Sequence, residues 1–378
     1  MFTAARMVIT TAFRMVYPLL PAFRDGLGVS LEAISQALAG RSLAAAAGPF
    51  FASLADSRGR KTGMLIGLAL FVFGAGIVYF WPTFPGFVLA LIFTGLGKYA
   101  FDPAMQAYLG DRVPYARRGL TLTFTELAWS GSFILGIPVM SWLIARNSWL
   151  APFPFLGLLT ILFIILFAIL LPNDEAEEAK ARPSFVANFR TVMASKMAML
   201  GLSFTLLAAA ANESVNVVFG VWMEASFALR LSALGAAAAV IGIAEIGGEG
   251  LVAGLVDRLG KRRAILIGLS LNSVAALVLP LIGRNQTGAL IGLFLFYITF
   301  EFAFVSSIPL MTEVLPKARA TVMALNITFA SLGRALASLI APMLYAFGFS
   351  INTLATVAFN LLAFAALSQV RIQAEDDK

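Results

Sequence analysis

The sequence contains no cysteine and no histidine. The lack of cysteine excludes disulfides, and the lack of both residues excludes thiolate and imidazole metal sites. Any proton transfer must use Asp or Glu, because histidine is the side chain that normally titrates near neutral pH. Charge is also scarce, since 12% of the 378 residues are charged, against roughly 25% in a soluble domain. We therefore expect no metal, no cofactor and no enzyme activity.

Hydrophobic residues are abundant instead. They make up 60% of the chain, and the mean hydropathy is +0.89. One soluble core cannot bury so much apolar surface, so the composition predicts an integral membrane protein. The net charge of +7 would suggest nucleic-acid binding in a soluble chain. Here the basic residues flank the apolar stretches, where they orient the chain in a bilayer, so we expect no nucleic-acid partner.

Twelve stretches are long and apolar enough to cross a bilayer as helices, and we number them spans one to twelve. They cover residues 4–23, 33–54, 62–81, 86–109, 119–143, 149–171, 197–222, 232–256, 264–282, 288–312, 320–346 and 350–370. With both termini in the cytoplasm, eighteen Lys and Arg residues lie inside and four lie outside. This bias predicts cytoplasmic termini and a multi-pass protein of a prokaryotic cytoplasmic membrane. The first stretch lacks a basic n-region, so we interpret it as span one and not as a cleaved signal peptide.

A polar stretch at 173–196 has six spans on each side. It predicts a division into a bundle at 1–172, a cytoplasmic linker at 173–196 and a second bundle at 197–378. The second half of the linker mixes apolar and basic residues. A short helix on the membrane surface and a flexible linker both fit this composition.

The two bundles share a sequence repeat. Residues 54–68 and 255–269 are identical at seven of fifteen positions, 201 residues apart. A second match, at a separation of 202 residues, pairs 113–117 with 315–319 and Gly131 with Gly333. Several matches at nearly one separation indicate an internal duplication, with both copies in the same orientation.

The repeated loop has a recognisable form. Leu54-Ala-Asp56-Ser-Arg-Gly59-Arg60-Lys61 resembles the G-x-L-A-D-x-x-G-R-K signature of the major facilitator superfamily, with Ala52 and Ala253 in place of the first glycine. The resemblance implies an all-α membrane protein of twelve transmembrane helices in two pseudo-symmetric six-helix bundles, the arrangement of that superfamily.

The loop also has a readable chemistry. A glycine permits a turn with positive φ, and an acidic residue can accept N–H groups at the start of a neighbouring helix. The resemblance implies that such contacts hold the cytoplasmic side closed, and interfacial charges that only aid insertion are the simpler alternative. The predicted gate residues are Asp56, Gly59, Arg60, Lys61, Asp111, Asp257 and Gly260, with Asp111 as a partner for Arg60.

Ionisable residues also lie inside the predicted spans, where each costs at least ~2.5–3.5 kcal/mol at the bilayer centre. Spans three, six, nine and twelve have none, so these four can face lipid. The remaining spans must direct theirs to protein or water. The charged residues are Arg6, Arg14, Arg41, Lys98, Asp102, Glu126, Glu213, Glu245, Glu249, Glu301 and Arg334.

Two pairs among them share a helix face. Lys98 and Asp102 are spaced i, i+4 and can pair, either as a structural unit or within a binding site. Glu245 and Glu249 have the same spacing, and two like carboxylates resist ionising together, which suits a proton site. Separate salt bridges, or exposure of Glu249 to water, are the alternatives.

The other candidates are single residues. Arg14 is a candidate for an anionic substrate group or for an ion pair, and Glu126 is alone mid-helix and a second proton-site candidate. Glu213 and Glu301 belong to spans that line the central cavity in the resembled fold. Arg334 and Arg41 suit ties between helices.

These observations predict a secondary active transporter that works by alternating access and exports an amphipathic or polar organic solute in exchange for protons. An uncoupled facilitator or lipid-type flippase is one alternative, and a non-transporting receptor or assembly factor of the same fold is another. We expect a monomer whose partners are the small-molecule substrate, protons and membrane lipid. No G-x-x-x-x-G-K-[ST] loop is present, which disfavours an ATP-driven pump. The sequence leaves the substrate open.

Overall fold

A computed structural model describes residues 1–46, 59–172 and 185–370. All regular structure in these ranges is helical. The helices are α1 (Phe2–Arg14), α2 (Leu20–Leu27), α3 (Leu31–Ala45), α4 (Arg60–Phe80), α5 (Phe84–Arg112), α6 (Tyr115–Gly131), α7 (Ile137–Arg146), α8 (Pro152–Leu170), α9 (Phe185–Ala194), α10 (Lys196–Asn216), α11 (Phe219–Phe227), α12 (Leu231–Leu259), α13 (Lys261–Ile282), α14 (Gln286–Glu313), α15 (Arg319–Tyr345) and α16 (Phe349–Ser368). A π-helical turn, Ser132–Gly136, joins α6 to α7, and a 3₁₀ turn, Pro316–Ala318, precedes α15.

Ten helical segments of the described chain are long and apolar enough to cross a membrane. They match spans three to twelve closely, and the all-helical membrane fold is confirmed. The helices in spans one and two are shorter than predicted. In span one, α1 ends at Arg14, and in span two, α3 ends at Ala45. The end of span two, at 47–54, lies outside the described residues. The count of twelve and the cytoplasmic termini stay predictions.

Span one is interrupted between α1 and α2. Pro18 lies in this interruption and has no N–H to donate to the carbonyl of Arg14 four residues earlier. Span seven is interrupted at the matching place, since α10 ends at Asn216 and α11 begins at Phe219. The two breaks are about 201 residues apart, in agreement with the duplication.

Glycines allow the close packing of neighbouring helices in both copies. A Cβ on Gly67 of α4 would lie 2.7 Å from the carbonyl oxygen of Gly97 on α5. At the duplicated position, a Cβ on Gly268 of α13 would lie 2.8 Å from the Cβ of Ala303 on α14. No larger side chain fits at either contact, so the two helix pairs approach through small residues.

The described chain divides into two compact units. Unit 1 comprises Met1–Lys180 and Phe219–Gly242, and unit 2 comprises Ala181–Val218 and Ile243–Lys378. In unit 1, α11 packs on α2, where a Cβ on Gly220 would lie 2.7 Å from the carbonyl oxygen of Tyr17. Arg24 Nη2 also lies 3.3 Å from Glu224 Oε2. The second halves of spans one and seven are therefore in direct contact within unit 1.

The second half of the predicted linker forms a helix. Val192 of α9 is fully buried in an apolar cluster with residues of α10 and α15. Of the two interpretations of this segment, the helix is correct for residues 185–194. The first half, 173–184, lies outside the described residues.

Candidate functional site

Four charged side chains form a network between α1, α5 and α6 of unit 1. Arg6 Nη1 lies 2.7 Å from Glu126 Oε1, and Arg6 Nε lies 3.4 Å from Asp102 Oδ1. Lys98 Nζ lies 2.5 Å from Asp102 Oδ2 and donates to Thr10 Oγ1 at 3.3 Å. The network contains two cations and two carboxylates, so it is neutral when all four are ionised.

Helix geometry explains the arrangement within each helix. Lys98 and Asp102 are one turn apart on α5, and the predicted pair is confirmed. Arg6, Thr10 and Arg14 follow one another at intervals of four on α1, so they lie along one face. That face meets both α5 and α6.

The expectation that Glu126 is alone in its helix environment is wrong. Its carboxylate pairs with Arg6 and also accepts a hydrogen bond from the Gln106 amide at 3.2 Å. The side chain is 43% exposed, whereas that of Arg6 is 8% exposed. Spacing along one helix could not reveal this partner, because Arg6 belongs to a helix more than a hundred residues earlier. The sequence did offer one signal. Arg6 and Arg14 are spaced at a multiple of four residues, which places both on one face of α1.

Arg14 lies on the π-helical turn that joins α6 to α7. Its guanidinium carbon is 3.7 Å from the centroid of the Phe133 ring and 4.1 Å from that of Trp129. Nη1 donates to the Trp129 carbonyl at 2.9 Å. The turn forms because Pro138 cannot donate a helical hydrogen bond, and the N–H of Ile137 reaches back to Ser132.

Arg41 ties α3 to the end of α1. Nη1 donates to the Phe13 carbonyl at 2.6 Å and Nη2 to the Tyr17 hydroxyl at 2.8 Å. The break after α1 frees the Phe13 carbonyl, and a cation is favourable at a helix C-terminus. The side chain is 1% exposed. The predicted tie between helices is therefore present for Arg41.

Glu213 of α10 lies in a separate polar chain in unit 2. It accepts hydrogen bonds from Ser338 at 3.0 Å and from the Asn216 amide at 3.2 Å. Tyr297 in turn donates to Asn216 at 2.8 Å. These hydrogen bonds link α10, α14 and α15 around the carboxylate of Glu213, which is 1% exposed.

The remaining acidic candidates of unit 2 are grouped at a crossing of α12 and α14. A Cβ on Gly248 would lie 2.7 Å from Glu301 Cβ. Glu245 and Glu249 lie about 60° and 100° around α12 from Gly248, at ~100° per residue. Glu245 and Glu301 are buried. The contact of Gly248 with Glu301 marks where α12 and α14 cross, and the function of the three acids stays a prediction.

Arg334 of α15 does not join these acids in an ion pair within the described residues. It is partly buried in unit 2. The predicted tie is therefore not observed for Arg334 in the part of the chain that the structure describes.

The loop of the signature forms similar turns and contacts in both sequence copies, and its function as a gate stays a prediction. Gly59 and Gly260 have φ values of +93° and +81°, which confirms the predicted positive-φ turns. Arg60 Nε lies 3.4 Å from Asp111 Oδ2, so the predicted contact is present. At the duplicated position, Lys261 Nζ lies 2.5 Å from Glu313 Oε1. Sequence reasoning missed Glu313, although the separation of 202 residues from Asp111 would have located it.

The second basic residue of each copy has another partner. Lys61 donates to the carbonyls of Ala168 and Leu171, both at 2.8 Å, at the end of α8. Arg262 donates to the carbonyl of Ser368 at the end of α16. In each copy, one of the two basic residues therefore contacts an acid at the end of one helix. The other basic residue binds carbonyl groups at the end of a second helix.

Asp56 and Asp257 are the remaining predicted gate acids. Asp56 lies outside the described residues. Asp257 is exposed and has no ion-pair partner in the described part of the chain. In the second copy, the contacts of this loop in the described residues are therefore those of Lys261 and Arg262.

Span five contacts the first half of α12 through small residues of unit 1. Ser141 donates a hydrogen bond to the carbonyl of Leu231. A Cβ on Gly235 would lie 2.7 Å from Ser141 Cβ, and one on Gly242 would lie 2.8 Å from the carbonyl oxygen of Ser130. Spans five and eight are therefore adjacent, as the resembled fold implies.

Among the described residues, no group of three or more acidic side chains is placed to hold a metal ion. Membrane-length helices that bury ion pairs between them define a multi-pass integral membrane protein of the transporter class. Sequence comparison agrees. The profile of the Major Facilitator Superfamily matches residues 2–338, with a second match at 201–376. The chain belongs to the major facilitator superfamily.

Its relatives are bacterial membrane transporters. The chain is 26% identical over 348 residues to the uncharacterized MFS-type transporter YceJ of Bacillus subtilis strain 168, covering 91% of this chain and 88% of that protein. It is 25% identical over 201 residues to the quinolone resistance protein NorA of Staphylococcus aureus, covering 51% and 52%.

Two solved structures have the same fold. A point mutant of the nucleoside transporter NupG aligns with a TM-score of 0.76 at 13% identity, over 98% of this chain and all of that one. The D-xylose-proton symporter aligns with a TM-score of 0.75 at 17% identity, over 96% and 95%. At these identities the likeness shows the fold alone.

Proposed function

We propose that this protein is a secondary active transporter that works by alternating access and exports an amphipathic or polar organic solute in exchange for protons across a prokaryotic cytoplasmic membrane. The Arg6–Asp102–Lys98–Glu126 network carries this proposal. Each charge costs at least ~2.5–3.5 kcal/mol at the centre of a membrane helix. A scaffold with no transport function has little reason to retain four of them at one helix contact.

The coupling to protons rests on the carboxylates. With no histidine in the chain, a proton carrier must be Asp or Glu. Glu126 is the most exposed member of the network, because its side chain is 43% exposed. Arg6 also contacts Asp102 at 3.4 Å. Glu126 can therefore take up a proton while Arg6 keeps a carboxylate partner.

The direction of transport and the class of solute rest on similarity. NorA is named for quinolone resistance, and resistance to a drug is consistent with its export. The glycines and proline of span five, from Gly131 to Pro138, partly resemble an element of antiporters of the superfamily. Here Gly131 and Gly136 pack against α1, and Pro138 packs against Gly235 of α12. An amphipathic solute suits a protein whose units carry both charges and aromatic rings within the spans.

Reconstitution tests the proposal. The purified protein is placed in proteoliposomes that contain a pH gradient and a fluorescent quinolone as the probe. We expect the gradient to drive accumulation of the quinolone on the acidic side, and we expect a protonophore to abolish it. Protein-free liposomes with the same gradient correct for passive diffusion.

Two results would contradict the proposal. Equilibration of the quinolone at a rate that ignores the gradient would favour the uncoupled facilitator or flippase. No protein-dependent movement of the quinolone, of a sugar, of a nucleoside or of a fluorescent lipid would favour the non-transporting alternative.

A further inference from the structure

Three cations and two aromatic rings alternate in unit 1. The guanidinium carbon of Arg41 lies 3.9 Å from the centroid of the Phe13 ring, and Lys98 Nζ lies 6.0 Å from the same ring. Lys98 Nζ also lies 5.6 Å from the Trp129 ring, whose other cation is Arg14 at 4.1 Å. We call Arg41, Phe13, Lys98, Trp129 and Arg14 the cation–aromatic row.

Arg41 is the unusual member of the row. Its side chain is 1% exposed, and no carboxylate of the described residues lies within ion-pair distance of it. Among the described residues, its guanidinium contacts a carbonyl, a phenol hydroxyl and the rings of Phe13 and Tyr17. Its Nε has no hydrogen-bond partner in the part of the chain that the structure describes.

The break after α1 explains only part of this arrangement. The two Nη atoms of Arg41 satisfy groups at the end of α1, and a neutral amide could do the same. A helix C-terminus also favours the positive charge, but the break leaves unexplained an unused N–H at a fully buried position. A buried charged donor without a partner is costly, and in a membrane span it marks a functional site by default.

The charge count points to an anion. The described spans of unit 1 contain four buried cations, Arg6, Arg14, Arg41 and Lys98, and two carboxylates, Asp102 and Glu126. A guanidinium presents a planar fork of donors that matches a carboxylate. Aromatic rings offer faces on which a planar apolar body stacks.

We infer that the cation–aromatic row binds the carboxylate of an aromatic organic acid, with Arg41 as the group that recognises the anion and the rings of Phe13 and Trp129 as the surface for its apolar body. This inference rests on the proposed transport function and specifies its substrate class. Zwitterions that carry such a carboxylate belong to the class.

A binding panel tests the inference without any gradient. The purified full-length protein in detergent is titrated with 1-naphthoate, 1-naphthamide and 1-naphthylmethylamine, and thermal unfolding is followed. The three probes share one ring system and differ in charge. We expect naphthoate to raise the unfolding temperature in a saturable manner, and we expect the amide and the amine to have no such effect.

Variants identify the recognising residue. Arg41→Gln should weaken naphthoate binding at least about tenfold, and Arg41→Lys should weaken it less, because the charge stays while the fork is lost. Arg146→Gln is the matched control. Arg146 also stacks on an aromatic ring, Trp142, at 4.7 Å, but it is exposed at the end of α7. Its variant should bind naphthoate as the wild type does.

Several outcomes would overturn the inference. Equal stabilisation by the amide or the amine would show that the site does not recognise the negative charge. Equal stabilisation by chloride or sulfate would show that the cation–aromatic row binds inorganic anions instead. Unchanged naphthoate binding in both Arg41 variants would show that Arg41 does not contribute to the site. If Arg41→Gln does not fold, the wild-type panel and Arg41→Lys decide. Naphthoate binding without gradient-driven transport would reject the proposed coupling and leave this inference intact.

Discussion

Arg6 Nη1 and Glu126 Oε1 lie 2.7 Å apart, and this ion pair joins α1 to α6. The two side chains differ in exposure, since Arg6 is 8% exposed and Glu126 is 43% exposed. The cation is thus fixed within the helix contact while its acidic partner remains accessible. Arg6 has a second carboxylate partner, since its Nε lies 3.4 Å from Asp102 Oδ1.

Stability should separate the two acids of the network. Asp102→Asn leaves Lys98 and Arg6 buried without their shared carboxylate, and we expect a loss of ~3–5 kcal/mol in the free energy of unfolding, as when one partner of a buried ion pair is removed. Glu126→Gln should cost about 1 kcal/mol or less, because an exposed pair contributes little. Unfolding of the purified variants in detergent, by heat or by SDS titration, measures both.

Asp25→Asn is the control for loss of an acid in an exposed ion pair, since Asp25 is 62% exposed in its contact with Arg24. It should unfold like the wild type. A larger loss for Glu126→Gln than for Asp102→Asn would show that Asp102 is not the central anion of the network.

The sequence predicted most of the fold because the relevant information is local. A bilayer requires about 20 apolar residues for each helix, so hydropathy located Arg60–Phe80 and the nine segments that follow. Helix spacing predicted the Lys98–Asp102 pair, and the signature loop predicted the positive φ of Gly59.

The parts that the sequence did not predict depend on contacts between helices. The Arg6–Glu126 pair joins residues 120 positions apart, and no pattern along one helix encodes it. The π-helical turn arises from Pro138 within a continuous apolar stretch, where periodicity gives no sign of a change in register. Lys261–Glu313 follows from the duplication and not from the signature itself.

Duplicated glycines should respond differently to substitution. A Cβ on Gly333 would overlap the backbone oxygen of Leu206, which cannot move away, so Gly333→Ala should destabilise the protein by ~1–3 kcal/mol. A Cβ on Gly131 would meet only the flexible Met7 side chain, at 3.2 Å. Gly131→Ala should therefore be neutral or slightly stabilising, since alanine favours helix. Thermal unfolding of the two variants makes the comparison, and equal effects would reject the packing argument.

The signature turn should tolerate no β-branched residue. Gly59 has a φ of +93°, and valine in such a conformation stores ~1–3 kcal/mol of strain. We expect Gly59→Val to insert normally but to transport the quinolone about fivefold more slowly or worse, which is the scale of a conformational bias of that size. Membrane-fraction yield and proteoliposome flux measure the two properties.

Gly76→Val is the matched control for this turn. Gly76 lies in α4, and a Cβ there would have open space around it. Its variant should transport at the wild-type rate. If Gly59→Val also transports at that rate, the signature turn does not control the cytoplasmic side.

The carboxylates that couple transport to protons should be separable from those that only hold the structure. Neutralising Glu126 or Glu245 as Glu→Gln should reduce pH-gradient-driven accumulation of the quinolone to the level of protein-free liposomes. Exchange at equal pH should remain, because glutamine keeps the size and polarity of the side chain but carries no titrating proton. Proteoliposomes measured with and without the gradient give both rates for each variant.

Glu32→Gln is the control for the substitution itself. Glu32 lies in the first turn of α3, where a hydrogen bond with Ser30 lowers the pKa of its carboxyl. It is therefore ionised across the whole working range and cannot carry a proton between the two sides, so its loss should leave coupling intact. Glu126 and Glu245 differ from it in lying within the spans, where Glu126 shares Arg6 with Asp102 and Glu245 is buried in α12. Gradient-driven accumulation that persists in every variant would show that the membrane carboxylates do not couple transport to protons. The five variants are Glu126→Gln, Glu213→Gln, Glu245→Gln, Glu249→Gln and Glu301→Gln. The uncoupled facilitator would then be the better description of this transporter.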